Sequence, residues 1–160
     1  LYGWFQAWSR YLKHADADDI YWFTLHGAID FLRNGITTAY DFTDAGVVQR
    51  MSTDPAVANV PTGIKPGPYN QNQFQAKLDA GLRFIDALWI SEVGTEAQIR
   101  TRFETYLNFN NSHTGNPLYL KTSIAGGQQF APTPRTAQRE VEYMRRYDWR
   151  EPHQARGDAG

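Results

Sequence analysis

The chain contains no cysteine. That excludes disulfides, thiolate nucleophiles and Cys-type zinc sites, and it is compatible with a reducing compartment. A cytoplasmic location is the expectation. Net charge is nearly absent as well: 16 Lys+Arg against 17 Asp+Glu give −1. With no run of Lys or Arg, nothing marks a nucleic-acid partner or an anionic membrane surface. No stretch approaches the roughly 18 apolar residues that a membrane span needs. There is no Gly-x-Ser-x-Gly, so a serine nucleophile elbow has no support. No glycine-rich phosphate loop follows any strand-like segment, which removes support for a nucleotide-binding open sheet.

What is present reads as one globular domain over residues 1–160, with 41% apolar and 21% charged residues. The start, Leu1-Tyr2-Gly3-Trp4, lacks an initiator Met and a leader pattern, and Ala155–Gly160 closes on no element. Both ends read as internal sequence.

Four helix signals alternate with three strand signals. Asp16 is placed to cap a helix, with Asp19 as a second carboxylate near its positive end. Ile20, Phe23, Ala28, Phe31 and Leu32 fall largely on one face of it, and Asn34-Gly35 stops it. A strand follows over Ile36–Phe42, rich in β-branched and aromatic residues. The segment Val47–Met51 reads as one or two helical turns, and Pro55–Tyr69, rich in Pro and Gly, reads as a long loop, either functional or an excursion over a barrel mouth. A second helix at Gln71–Ala80 stops at Gly81 before a strand over Leu82–Ile90. The third unit has Thr95 capping a helix to Asn110, a turn at His113-Thr114-Gly115-Asn116, and a strand over Leu118–Ala125. Pro134 opens a last helix reaching Tyr147. Successive helix–strand units without hairpin signals imply parallel strands joined by crossover helices: an α/β fold, either an open sheet or an arc of a barrel.

Two segments carry a family resemblance. Trp22 through Asp41, a helix ending in Phe31-Leu32-Arg33-Asn34-Gly35 and running into Ile36-Thr37-Thr38-Ala39-Tyr40-Asp41, resembles the helix and second strand of amidohydrolase-superfamily barrels. Leu120-Lys121-Thr122-Ser123-Ile124-Ala125-Gly126-Gly127, with a helix on either side, resembles the fourth-strand unit of the imidazolonepropionase-like and prolidase-like branches. The resemblance implies a partial (β/α) TIM-type barrel, about strands 2 to 4. It implies a metal-dependent hydrolase, acting on amide or amidine C–N bonds or in deamination through a metal-activated water. The cofactor it implies is a divalent metal, zinc by expectation, and the partner a small-molecule substrate. The chain departs from the family in having no His-x-His, and the family's late His and Asp have no counterparts, so the piece alone is expected to be inactive.

The candidate metal ligands are Lys121 and His153. In some branches a Lys in this strand is carboxylated and bridges two metals. The plain alternative is a lysine whose ammonium is led out to water. Simple alternation puts Tyr119, Lys121 and Ser123 on one face and Leu120, Thr122 and Ile124 on the other. His153 stands where a fifth strand would begin. Barrel chemistry sits at the C-terminal ends of strands, which singles out Asp41 and Asp44, Ser91 and Glu92, and Gln128 and Gln129, with a turn-capping role as the plain reading of Asp41. His14 and His26 read as structural.

Twenty-three aromatic residues also suit a non-enzymatic binding domain. The plainer reading is that Trp4, Phe5, Trp8, Trp22 and Phe23 pack outer helices on strands. Three parallel strands leave two open edges, so self-association is expected of the isolated piece.

Overall fold

The computed structural model describes residues 7, 10–43, 46–50, 60–90, 92–125 and 134–147. A helical turn at 10–14 precedes α1 (Ala17–Arg33), which leads to β1 (Thr38–Thr43). A hairpin of β2 (Val47–Arg50) and β3 (Val60–Ile64) comes next. Then follow α2 (Tyr69–Ala80), β4 (Arg83–Trp89), α3 (Glu96–Asn111), β5 (Tyr119–Ala125) and α4 (Pro134–Arg146).

Local chemistry sets most boundaries. Asp16 and Asp19 form a reciprocal capping box at the start of α1, and Thr95 and Gln98 do the same for α3. Gly81 ends α2 with φ +80°, a left-handed conformation that costs a residue bearing a Cβ about 1 kcal/mol or more.

The main sheet runs β1-β4-β5, parallel at both pairings. Its register aligns rows across the strands. Ala39, Phe84 and Tyr119 form one row on the helix side, and Asp41, Asp86 and Thr122 form the next. Tyr40, Ile85 and Lys121 form a row on the opposite face, followed by Phe42, Ala87 and Ser123. The helices pack on the first face. Phe74 of α2 is fully buried there with Phe84 and Tyr119, ring centroids 4.9 and 5.1 Å away. A second cluster joins Leu88 and Ile90 to Phe103 and Leu107 of α3 and Tyr143 of α4.

Three expectations are corrected. Val47–Arg50 pairs antiparallel with Val60–Ile64, with an irregular register between Val48 and Gln49, rather than forming helical turns and bare loop. The β-branched content near both strands overrides the weak helical pattern, and Pro61 is tolerable in a two-stranded ribbon whose strands are both edges. In β5 the register slips between Phe84 and Ile85, so that Leu120 is passed over. Alternation therefore restarts, and Tyr119 lies on the helix side with Thr122, its hydroxyl 2.6 Å from Thr122 Oγ1. Trp22 and Phe23 are 64% and 60% exposed rather than packed on strands, because the buried face of α1 is carried by Ile20 and Ala28. His14 and His26 are both exposed, His26 in the middle of α1. Trp4, Phe5 and Trp8 lie outside the described residues.

Two substitutions measure these devices. Phe74→Ala should lower unfolding free energy by about 3–5 kcal/mol in urea titration, since a buried aromatic loses both transfer energy and packing. Asp16→Ala should cost about 1 kcal/mol by the same measurement, through loss of one side of the capping box.

Candidate functional site

The polar row on the helix face is the most densely bonded feature of the fold. Lys77 of α2 is 2% exposed. Its ammonium donates to Asp41 Oδ2 at 2.7 Å and to Asp86 Oδ1 at 2.6 Å, and it stands 4.4 Å from the centre of the Phe84 ring. Asn110 of α3 donates to the other Asp86 oxygen at 2.7 Å and lies 2.9 Å from Thr122 Oγ1. Gln73 donates to Asp41 Oδ2 at 2.9 Å. Three strands and two helices thus meet through one buried cation, two carboxylates, two amides and two hydroxyls.

Burial alone would lower the Lys77 pKa, but the attraction of Asp86 and Asp41 outweighs it and the pKa is raised; the lysine stays charged. The Asp86 carboxyl is pushed up by burial, against the lowering effect of Lys77 and Asn110, and Asp41 pushes it further up. Two carboxylates on one ammonium leave an excess negative charge. Asp41, 31% exposed, is the member with access to water.

The opposite sheet face carries the sequence-predicted residue Lys121, exposed in the row with Ile85 and Tyr40. Tyr40 is 50% exposed, and its hydroxyl reaches across the central strand to within 2.9 Å of Ser123 Oγ. Phe42, 57% exposed, meets the Tyr40 ring edge-on at 5.5 Å. Toward the C-terminal ends of the strands, Ala87, Trp89 and Ala125 are buried, with Ile64 of the hairpin packed against them. Ile64 of β3 is therefore seated on the sheet face turned away from the helices.

The structure separates the predicted site residues. Asp41 is neither free for chemistry nor a turn cap; it faces the helices and pairs with Lys77. Glu92 pairs with Arg139 of α4, whose side chain is buried. Asp44, Ser91, Gln128, Gln129 and His153 lie outside the described residues. Lys121 is not buried, so the cost of an interior ammonium does not arise: the register passes over Leu120, itself 47% exposed, and leaves Lys121 on the open side opposite Ile85. Among the described residues no three of His, Asp and Glu come together as a metal-ligand set. Sequence reasoning passed over Lys77, Asp86, Asn110 and Thr122. The signal was available at Asp86, a carboxylate in the inward series Phe84, Asp86, Leu88, Ile90, which must have a partner if that series is buried.

At the other end of the helix layer, Glu96 opens α3 and accepts from Arg135 Nε at 2.9 Å and Arg139 Nη2 at 2.5 Å. Hydrogen bonds from Arg135 and Arg139 hold its carboxyl down to about 2. This clamp joins α3 to α4.

No family model, curated protein or solved structure matches the chain.

Lys77→Ala should destabilise the fold by about 3–5 kcal/mol, because it leaves the buried Asp86 carboxylate uncompensated. Adding Asp86→Asn to Lys77→Met should recover part of that loss; a Lys77→Ala loss under about 1 kcal/mol in urea titration would refute this account. For Glu96 the folded pKa is depressed, so its contribution is present above the ordinary value of 4.5 and lost as pH falls toward about 2. Acid titration followed by circular dichroism should show the wild type losing stability across that window, and Glu96→Gln losing less.

Proposed function

We propose that this chain is one arc of a metal-dependent hydrolase of the amidohydrolase type, covering about strands 2 to 4 of a (β/α) barrel. The whole protein would cleave amide, amidine or related C–N bonds of a small-molecule substrate. The observation that carries the reading is Lys121: it stands on the sheet face turned away from every described helix, in one row with Tyr40 and Ile85. In a closed barrel that face is the interior. Helix–strand order, parallel pairing and a post-β1 hairpin seated on the same face are all consistent with such an arc.

The described residues do not fit a metal ion by themselves, since no three of His, Asp and Glu gather among them. Most ligands would have to come from elsewhere in the whole protein, with Lys121, carboxylated so that it bridges metals, and His153 the candidates from this chain. What the described residues contribute is placement. The bonds of Thr122 to Asn110 and Tyr119 hold β5 from the helix side and so aim its neighbour Lys121 the other way.

A non-enzymatic aromatic-binding domain is the second reading, favoured by the exposure of Tyr40 and Phe42 on the same face. The two differ in what Lys121 does.

The test uses the whole protein, assayed for bound metal and for hydrolysis of a panel of N-acyl amino acids, cyclic amides and amidines. The expected result is bound metal and turnover, with Lys121→Ala losing most of both. A whole protein with neither metal nor turnover refutes the hydrolase reading, and near-normal Lys121→Ala makes the lysine structural. The chain alone should retain no stoichiometric zinc through dialysis.

A further inference from the structure

We propose that α1 is a self-association surface, on which a second copy of this chain docks its own α1 in antiparallel orientation. Contacts between neighbouring helices arrange the layer as α1, α2, α3, α4, so α1 is outermost and packs on α2 with one flank. Tyr21 ties that flank to Asp79 at 2.7 Å, and Asn72 donates to the Ala17 carbonyl. The remaining surface holds a stripe of five exposed residues: Asp18, Trp22, His26, Ile29 and Arg33. Their spacing of four, four, three and four keeps them within one narrow band at 3.6 residues per turn.

The stripe is complementary to its own reverse. A two-fold axis between Leu25 and His26 sets Asp18 opposite Arg33 of the second copy and Trp22 opposite Ile29. Trp22 is 64% exposed and Ile29 43%, large values for the two bulkiest apolar members. The carboxylate lies in the first turn of α1 and the guanidinium in the last. Antiparallel docking therefore satisfies both ion pairs and opposes the two helix dipoles favourably, whereas parallel docking would set like charges together. This charge reversal, with Trp22 and Ile29 between the two charged ends, is what selects a second copy over an unrelated partner. A single helix pair buries less than a standard interface, so monomer and dimer should exchange with concentration.

Sedimentation equilibrium of the full chain over a wide concentration range tests this. The wild type should dimerise reversibly. Trp22→Glu should weaken the dimer roughly tenfold or more, since burying an aromatic side chain is worth at least the ~1.4 kcal/mol of a factor of ten. Asp18→Arg and Arg33→Asp should each weaken it roughly threefold or more, with two like-charge contacts per dimer. The double exchange, Asp18→Arg with Arg33→Asp, should restore wild-type association. Far-UV circular dichroism shows that each variant is folded, and all three positions are exposed, so folding should survive. A wild type that stays monomeric overturns the proposal. So does self-association indifferent to Trp22→Glu, which would place the contact on the open sheet face or a strand edge. A double exchange no better than its components also overturns it.

Discussion

The fold depends on where one buried ammonium finds its anions. Lys77 descends from α2 into the layer between helices and sheet, where Asp41 and Asp86 accept from it and Asn110 holds the second oxygen of Asp86. An unpaired interior charge costs several kcal/mol, so the pairing is enforced by the penalty for its absence more than by its own attraction. A one-residue slip of β1 or β4 would turn a carboxylate to the wrong face and expose that penalty. The cluster thereby specifies register, the seating of α2 on the sheet and, through Asn110, the seating of α3. An apolar core of the same volume would hold the layers together without selecting one alignment so sharply.

This constraint makes the two faces of the sheet unlike. One is closed by aromatic packing around Phe74 and by the polar row. The other carries Tyr40, Phe42, Ser123 and Lys121, with the hairpin covering the strand ends at Trp89. Parallel sheets are ordinarily covered on both faces. A half-covered sheet is what an arc of a barrel looks like, and this connects the proposed hydrolase to the geometry. The outward stripe of α1 is a separate asymmetry, at the edge of the helix layer, and it does not depend on the barrel reading.

Much of the fold was legible because the signals are local. The Asp16–Asp19 and Thr95–Gln98 boxes, the stops at Asn34-Gly35 and Gly81, and the helix-then-strand order need only a few residues of context. Where distant residues arbitrate, reading failed. Lys77 and Asp86 are nine positions apart on different elements, and Asp41 is further still, so no spacing rule joins them. The bulge at Leu120 is a compromise between Tyr119 packing on Phe74 and Thr122 reaching Asn110, and strict alternation misassigned Tyr119 for that reason. The face of α1 was misread at Phe23 and Phe31 because apolar periodicity does not say which of two apolar flanks meets α2.

The sequence by itself determined the three helix-then-strand units, most of their caps and stops, and a parallel α/β class, because hydrogen-bond geometry and side-chain periodicity act within a turn or two of chain; it misread Val47–Arg50, which is a strand. It also placed Lys121 on a strand. Only the tertiary structure decided that Lys121 faces away from the helices while Asp41 faces toward them, that Val47–Arg50 pairs with Val60–Ile64, and that Trp22 lies outside the core. Those outcomes turn on which partners each group meets across the layers. Burial of charge and aromatic surface is settled by neighbours remote in sequence, and the chain folds to the one arrangement in which Lys77, Asp86 and Asp41 are all paired.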